Sequence, residues 1–347
     1  MTASVTTMDL AELTTLRLGG PARHVVEATT EGELIDSVSS ADGRDERVLV
    51  VGGGSNLVVA DEGFDGTVIL VKTRGISVDS DACSGAMVTV QAGECWDDFV
   101  GYAVGQGWVG IEALSGIPGL AGAVPIQNVG AYGQEVSQTV ASVRTYDREA
   151  KSIRTFAAAD CGFAYRSSRF KATPGRHVIL SVTFQFALGD LSVPVAYAEL
   201  ARILGIGVGQ RAPSTDVRDA VLNLRRGKGM VLDADDHDTW SAGSFFTNPM
   251  MSATRAAALP EGAPRFVQPD GTVKTSAAWL IDHAGFSKGY GTGPVTLSTK
   301  HALALTNRGG ATTTDLLALA RQVRSGVEAK FGVTLANEPV LVGCTLS

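Results

Sequence analysis

Continuous apolar runs and helical periodicity alternate along the first part of the chain. The runs at 48–51 and 66–71 are rich in valine, isoleucine and leucine, which predicts two buried strands. Thr30 and Glu33 have the spacing of a capping box ahead of an apolar helical face, so a helix is expected to begin there. This alternation predicts a small α/β domain over 15–75.

The remaining sequence shows the same two kinds of pattern. Apolar residues at i, i+3, i+4 and i+7 predict a helix near 214–224, and a longer helix over 313–331 is expected to end at Gly332. Two apolar segments flanking 147–151 predict a hairpin. Further strands are expected at the start of 86–98, at 177–186, near ALALTN and in the C-terminal tail, and further helices at DDFVGYAVGQG and 275–283.

Composition limits the class of protein. A chain of 347 residues with 44% hydrophobic and 19% charged residues has the composition of a soluble globular protein with two or three domains. Its net charge of −7 argues against electrostatic nucleic-acid binding. Apolar runs are too short for a membrane span, and MTASVTTMDLAEL lacks the features of a secretory signal. Four scattered cysteines without a CxxC pair indicate reduced thiols rather than a metal site.

A glycine-rich stretch over 110–135 suggests a ligand site. Gly116, Gly119 and Gly122 recur every three residues, and the stretch contains no lysine or arginine. Glycines let the backbone approach a bulky ligand, and their exposed amides can hold phosphate. The alternative interpretation is a loop-rich turn between core strands.

A second glycine segment follows the strand at 48–51. Gly52 and Gly54 fit the dinucleotide fingerprint, but Leu57 stands where its third glycine belongs. The segment also lacks the Gly-Lys-Ser/Thr of a P-loop. Because a strand is expected on both sides, the pattern favours a different way of wrapping a dinucleotide.

Three side chains are candidates for chemistry. Ser244 lies between small residues and two phenylalanines, where a shielded hydroxyl could donate a proton, although a satisfied core serine is the alternative. Arg166 follows Phe163 and Tyr165, so its burial calls for an anion, from a substrate or from a protein carboxylate. Glu338 lies in an apolar tail, where desolvation would raise the pKa of its carboxyl group, unless it is an exposed strand-end residue. The sequence contains no Gly-x-Ser-x-Gly elbow, and its histidines show no triad spacing.

Several segments together resemble the UDP-N-acetylenolpyruvoylglucosamine reductase (MurB) family. They are TTLRLGGPA, VVGGGSNLVVADEGFDGTVI, GIEALSGIPGLAGAVPIQNVGAYGQE, CGFAYRSSRFK, SAGSFFTNP and NEPVLVG, in the family's order across nearly the whole chain. The resemblance implies an α+β fold, with a two-part FAD-binding region of the vanillyl-alcohol-oxidase/PCMH type and a C-terminal α+β substrate domain. The expected boundaries are 1–75 joined by the tail 334–347, then 76–229, and 230–333, and a charged, Gly- and Ser-rich passage at 74–85 marks the first boundary.

The resemblance also implies an activity. Non-covalent FAD would be reduced by NADPH, and the enolpyruvyl ether of UDP-N-acetylglucosamine enolpyruvate would then be reduced to UDP-N-acetylmuramate, in peptidoglycan precursor synthesis in the cytoplasm. The protein is expected to be a monomer, without nucleic-acid or membrane partners. Two alternatives are an oxygen-using flavin oxidase of the same superfamily and a non-catalytic nucleotide-binding module. Only the reductase would bleach with NADPH and recolour with the enolpyruvyl nucleotide.

By resemblance, three sets of residues acquire roles. The catalytic set would be Arg166, Ser244 and Glu338. The substrate-binding set would be Tyr197 of the long-loop branch, Lys228, Asn248, Lys288 and His301. The cofactor-binding set would be Gly52, Gly53, Gly54, Ser55, Asn56, Leu57, Ser115, Gly116, Ile117, Pro118, Gly119, Gly122, Ala123, Gln127, Gly130 and Arg225.

Three positions depart from the family pattern. Phe266 stands where a tyrosine hydroxyl is expected to contact the substrate, so that hydrogen bond should be missing or replaced. Pro339 follows Glu338 in place of the usual Glu-Pro-Glu order and should alter its backbone. His24 lies outside any covalent-flavin motif, which is the reason for expecting non-covalent FAD.

Overall fold

The computed structural model describes residues 8–81 and 85–347. Two parts of the sequence discussed above lie outside the described residues: Cys83, and residues 1–7 of the N-terminal segment MTASVTTMDLAEL. The chain divides into two compact units. Among described residues, the first unit contains Ala22–Gly53 and Asp65–Arg226, and the second contains Met8–Pro21, Gly54–Phe64 and Gly227–Ser347.

Helices and strands are mixed along the chain, as expected for an α+β protein. The α-helices are Glu31–Gly43, Trp96–Gly105, Arg169–Ala172, Ala198–Ile203, Ser214–Gly227, Ala253–Ala257, Ala277–His283 and Thr313–Phe331. The strands of three or more residues are Pro21–Ala28, Val48–Val51, Leu57–Val59, Phe64–Val71, Ile76–Asp81, Gly85–Gln91, Val140–Asp147, Ser152–Ala157, His177–Leu188, Val295–Leu297, Leu305–Asn307 and Val340–Val342. Two-residue strands are Met8–Asp9, Trp108–Val109, Gly130–Ala131, Gln134–Glu135, Met250–Met251, Phe266–Val267 and Val273–Lys274.

The first unit is built around an antiparallel sheet. Its longest strand, His177–Leu188, pairs with Val140–Asp147 on one side and with Gly85–Gln91 on the other. The helix Trp96–Gly105 buries Trp96 and Phe99 against Phe184 of this sheet, with the rings 5.4–5.9 Å apart. Such aromatic packing removes large apolar surfaces from water and stabilises the unit. A smaller group of strands contains Val48–Val51, which runs parallel to Phe64–Val71.

The second unit has a separate hydrophobic core. The helix Thr313–Phe331 packs its apolar face on Ala277–His283 and on the hairpin of Val295–Leu297 and Leu305–Asn307. A capping box at Thr312 begins this helix, and Gly332 ends it with a left-handed φ of 64°. Near the C-terminus, Val340–Val342 pairs in parallel with Leu57–Val59.

The predicted elements can be compared with the observed ones. The capping box at Thr30, the hairpin around 147–151 and the helices near 214–224 and 313–331 are confirmed. Ile76–Asp81, inside the passage 74–85 that is expected to mark a boundary, is a strand paired with Gly85–Gln91 and is not among the predicted strands. The pairing with Gly85–Gln91, whose Ala86, Val88 and Val90 are buried, accounts for this strand. The alternation of apolar and polar residues in Ile76–Asp81 is too short to predict it alone. The division at 75/76 and 229/230 remains a prediction.

The described cysteines are free thiols. They are Cys95, Cys161 and Cys344. Burial raises the pKa of the Cys161 thiol to about 11. Over the ranges 8–81 and 85–347, no helix combines the length and hydropathy that a membrane span requires.

Candidate active site

In the first unit, the two glycine segments lie directly against each other. A Cβ atom on Gly53 would lie 2.7 Å from the Cα of Gly119, and one on Gly52 would contact Leu120 at 3.5 Å. Within the described residues, the amides of Gly52 and Gly53 donate to no protein carbonyl. Uncovered amides at a close approach of two backbones are a suitable site for phosphate oxygens.

The glycine-rich stretch over 110–135 is held in place by its own polar contacts. The Gly116 amide donates to Asp97 Oδ1 at 2.6 Å, and Arg218 donates to the same oxygen at 2.6 Å. Burial alone would raise the pKa of Asp97, but the hydrogen bonds from Arg218 and Gly116 outweigh it and lower the pKa. Ser115 donates its hydroxyl to the carbonyl of Glu112. These groups are already bonded within the protein, so the segment is fixed before any ligand binds.

Ala123 and Gly122 close this segment in a short 3₁₀ turn. The Gly122 amide donates to the Ala92 carbonyl at 2.9 Å, and a Cβ there would lie 2.5 Å from Ala92 Cβ. Ile117 and Pro118 lie at half-buried positions of the loop that precedes the turn. The periodic glycines therefore serve close packing as well as exposure of the backbone.

Arg166 contacts the end of the same segment. Its guanidinium Nη2 donates to the carbonyl of Gly130 at 2.8 Å, and its backbone φ is 51°. Lys171 donates to the Arg166 carbonyl and to Gln127 Oε1, at 3.0 and 2.8 Å. A non-glycine residue in the left-handed region is uncommon, so this conformation points to a local constraint on Arg166. The structure thus brings together Arg166, Gln127 and Gly130.

Tyr197 and Arg225 are also in the first unit. Tyr197 is 40% exposed at the start of helix Ala198–Ile203, and its ring meets the edge of Tyr132 at 5.3 Å. Arg225 is only 6% exposed, and burial lowers the pKa of its guanidinium. The electrostatic effects of Tyr132 and Asp97 favour the charged form and partly oppose this lowering of the pKa.

Sequence reasoning missed a buried carboxylate in this unit. Glu112 is fully buried and accepts hydrogen bonds from the amides of Gly110 and Val193 and from the side chain of Gln134, at 2.7–2.9 Å. It therefore joins the glycine stretch to the segment leading to Tyr197. The only sequence signal is a single acidic residue in the otherwise apolar GIEALSG.

In the second unit, three chain segments bring Ser244, His301 and Glu338 together. Ser244 Oγ lies 3.3 Å from His301 Nε2. The neighbouring Phe245 donates its amide to the Leu303 carbonyl, and its carbonyl accepts the amide of Glu338, both at 2.8 Å. Backbone pairing on both sides therefore fixes the position of Ser244.

Asn56, which follows the glycines after strand Val48–Val51, contacts the chain segment that contains Glu338. The Asn56 carbonyl accepts the Val340 amide at 2.9 Å, and Asn56 Nδ2 approaches the Glu338 carbonyl at 3.5 Å. Gly54 has a φ of 60°, and a Cβ there would overlap the Leu13 carbonyl oxygen at 1.7 Å, so only glycine fits. Ser55 lies in the following turn, and Leu57 begins the strand paired with the C-terminal segment.

The remaining predicted substrate residues occupy different settings in the second unit. Lys228 is half-buried just beyond helix Ser214–Gly227, and Lys288 is exposed in a turn. Asn248 Oδ1 accepts the amide of Ala277 at 2.9 Å, so this oxygen stabilises the start of a helix. Phe266, at the position where the resemblance predicts a tyrosine, is 54% exposed.

The fold and the glycine cradle together define a class of protein. Two backbone segments that only glycine can bring so close, with uncovered amides between them, fit the phosphates of FAD. Residues 22–155 match the family model described as "FAD binding domain". The protein is therefore an FAD-binding oxidoreductase with an α+β fold.

Sequence relatives identify the family. Residues 235–342 match the model "UDP-N-acetylenolpyruvoylglucosamine reductase, C-terminal domain". The chain is 59% identical to the UDP-N-acetylenolpyruvoylglucosamine reductase of Cutibacterium acnes (97% of this chain, 90% of the relative) and 56% identical to that of Thermobifida fusca (97% of each). The chain belongs to the UDP-N-acetylenolpyruvoylglucosamine reductase family.

A solved structure supports the same fold. The reductase MurB from Thermus caldophilus aligns with a TM-score of 0.67 and 24% identity, over 98% of this chain and 99% of the other. At this identity the match supports the fold.

Proposed function

We infer that the chain reduces the enolpyruvyl ether of UDP-N-acetylglucosamine enolpyruvate to UDP-N-acetylmuramate, a step of peptidoglycan precursor synthesis. The inference depends on family membership at 49–59% identity across 97% of the chain. The cofactors are FAD and NADPH. Bound FAD supplies the hydride chemistry that links NADPH to the vinyl group. We also propose that the protein acts in the cytoplasm as a monomer.

The residues proposed to hold FAD lie in the two glycine segments and at their ends. The amides of Gly52 and Gly53 are proposed to bind phosphate oxygens, since they donate to no carbonyl within the described residues. Arg225 is proposed to contribute positive charge to this part of the first unit. Gln127 and Gly130 are proposed to contact the cofactor from the segment that Arg166 also contacts.

Ser244 is proposed as the general acid. When hydride adds to one carbon of the vinyl group, negative charge develops on the other carbon and on its carboxylate. The Ser244 Oγ–H bond would break, and its proton would pass to that carbon, which completes the reduction. The observation that supports this role most directly is the fixed position of Ser244 between two backbone-paired segments, 3.3 Å from a histidine nitrogen.

Arg166 and Glu338 are proposed to polarise the substrate carboxylate. The planar guanidinium of Arg166 suits a carboxylate, whose charge grows as the carbanion develops. Glu338 is half-buried, and it must be protonated or compensated to face an anion. Stabilising charge where it develops is among the largest contributions to catalysis.

The UDP group requires contacts away from the reacting carbons. We propose that Lys228 binds the diphosphate, and that Asn248 and Lys288 contribute further substrate contacts. Tyr197, exposed on the edge of Tyr132, is proposed to close over the substrate. His301 is proposed to lie on the substrate side.

The Ser244→Ala variant tests the central assignment by separating the two half-reactions. Flavin reduction by NADPH should stay within about twofold of wild type, because it requires no serine proton. Anaerobic reoxidation by the enolpyruvyl nucleotide should slow by about 10²–10⁴. Stopped-flow flavin absorbance measures both rates. Ser325→Ala, on the exposed face of helix Thr313–Phe331, is the matched control, and equal slowing of both half-reactions in Ser244→Ala would remove the general-acid role.

A further inference from the structure

The histidine beside Ser244 is held independently of Ser244. Its backbone amide donates to the hydroxyl of Ser298 at 3.1 Å, and its carbonyl accepts the Ala304 amide at 3.1 Å. Ser298 is fully buried and also accepts the Lys300 amide at 3.0 Å. The turn therefore fixes the backbone of His301 through contacts that do not involve Ser244.

A network of charged residues also holds the turn at 298–301, through hydrogen bonds from Thr299 to Asp238. Asp238, 4% exposed, accepts hydrogen bonds from the Thr299 amide and from Arg308, both at 2.9 Å, and from the Thr299 hydroxyl. Burial raises the pKa of Asp238, but the bonds from Thr299 outweigh it and lower the pKa. Among the described residues, the titratable and charged groups on the elements around the histidine are Lys228, Asp236, His237, Asp238, Lys300, Arg308 and Glu338.

The direction of the hydrogen bond between Ser244 and His301 decides whether Ser244 can act. A hydroxyl has one proton, so if Nε2 were the acceptor, that proton would point at the ring and away from the substrate. A proton donor at Ser244 therefore requires Nε2–H as the donor. A donated N–H also stabilises the negative charge left on Oγ when the serine proton leaves.

We propose that His301 is a positioning residue that acts through Ser244 by donating Nε2–H to Oγ and resupplying its proton. This proposal rests on the general-acid role proposed above. As the Ser244 O–H bond breaks toward the substrate carbon, the Nε2–H bond of the imidazolium breaks and a new O–H bond forms. Ser244 is thereby regenerated, and the neutral imidazole recovers a proton from water.

In this role His301 supplies a proton to Ser244 and is not primarily a substrate contact. A substrate contact would affect mainly the affinity for the nucleotide. A proton supply would affect the rate of the second half-reaction and its pH dependence. Because the imidazolium is the active form, that rate should fall as pH rises through the histidine titration.

The test compares His301→Gln and His301→Ala with wild type from pH 5.5 to 8.5. Both variants should show flavin reduction by NADPH within about twofold of wild type. Reoxidation by saturating enolpyruvyl nucleotide should be at least about tenfold slower at pH 6, and its fall with rising pH should disappear. Apparent affinity for the nucleotide should change by less than about threefold. His283→Gln, an exposed histidine stacked on Trp279, is the control and should keep the wild-type profile.

The double variant Ser244→Ala/His301→Gln separates this proposal from the one it rests on. If His301 acts through Ser244, the double variant should be no slower than Ser244→Ala alone. Unchanged reoxidation in Ser244→Ala would overturn the general-acid role itself. If reoxidation is slow in Ser244→Ala but His301→Gln keeps the wild-type reoxidation rate or pH profile, only the proton supply by His301 is overturned. The same conclusion follows if His301→Gln loses only affinity for the nucleotide. Retained FAD absorbance and melting temperature show that the variants are folded.

Discussion

Gly53 and Gly119 approach so closely that a single methyl group on Gly53 would lie 2.7 Å from the Gly119 Cα. The two residues belong to separate glycine segments, more than sixty positions apart in the sequence. The atom that the added methyl group would meet belongs to the backbone and not to a flexible side chain. Relief of the clash therefore requires one whole segment to shift.

The Gly53→Ala variant is therefore expected to lose FAD binding while most of the first unit stays folded. Displacement of either segment moves the amides proposed to hold the phosphates. We expect the purified variant to be colourless or to bind added FAD at least about tenfold more weakly, a change of about 1.4 kcal/mol or more. Fluorescence titration with FAD measures the affinity, and circular dichroism reports the fold.

Gly105→Ala is the matched control for this substitution. Gly105 ends the helix Trp96–Gly105, and a Cβ there would meet no atom within 4 Å. This variant should stay yellow and should be as stable as wild type or slightly more stable. Normal FAD affinity in Gly53→Ala would show that the contact between the segments is not needed for the cofactor.

A second prediction concerns the guanidinium of Arg166. Arg166→Lys keeps the positive charge but removes the planar fork that a carboxylate can accept on both oxygens, and it removes the bond from Nη2 to Gly130. We expect turnover to fall at least about a hundredfold, with FAD still bound and the melting temperature near that of wild type. Steady-state assays and flavin absorbance measure these properties.

Arg169→Lys is the control, because it tests whether replacing a neighbouring arginine by lysine also lowers turnover. Arg169 is exposed, and its guanidinium lies over the Phe156 ring at 4.7 Å. Its variant should keep normal turnover. Wild-type turnover in Arg166→Lys would remove Arg166 from the mechanism.

The elements that sequence predicted best are those specified locally. The capping boxes at Thr30 and Thr312 and the αL glycine after the last helix depend on residues a few positions apart. The glycine segments were recognisable because composition alone distinguishes them. Periodicity and capping therefore predict most helices and long strands. They do not predict Ile76–Asp81, which is a strand because it pairs with Gly85–Gln91.

The polar contacts of the candidate site could not be predicted in the same way. Glu112 meets Val193 across 81 positions, Asp97 meets Arg218 across 121, and Ser244 meets His301 across 57. No periodic pattern encodes such pairs, because they form only after several elements have packed. The histidines therefore showed no useful spacing in the sequence, although one of them lies beside the candidate acid.

A third prediction uses the pH dependence of stability. Asp147 is fully buried and accepts two hydrogen bonds from Arg176, at 2.9 and 3.1 Å, which hold the pKa of its carboxyl group at about 2. A lowered folded-state pKa contributes stability that is present above the ordinary value near 4 and is lost as pH falls through 2. Asp147→Asn should thus be less stable than wild type at pH 7, and the difference should shrink toward pH 2.

Denaturant unfolding of both proteins at several pH values measures this difference. Asp65→Asn is the control, since Asp65 pairs with Arg23 at the surface, with its side chain 79% exposed, and an exposed pair contributes little. A difference between Asp147→Asn and wild type that stays constant with pH would contradict a role for the charge. The turn at Glu149 and Ala150, whose amides also bond to Asp147, would then be the source of the stability.

The last prediction concerns packing of the C-terminal helix. A Cβ on Gly326 would lie 2.4 Å from the ring of Phe286, which is buried in the core of the second unit. Alanine in a helix gains about 1 kcal/mol over glycine, but overpacking costs about 1–3 kcal/mol. Gly326→Ala should therefore lower the melting temperature, and adding Phe286→Leu should recover part of the loss. Gly43→Ala, which meets no atom within 4 Å in helix Glu31–Gly43, should not lower it. A Gly326→Ala protein more stable than wild type would show that the Phe286 ring moves aside at little cost.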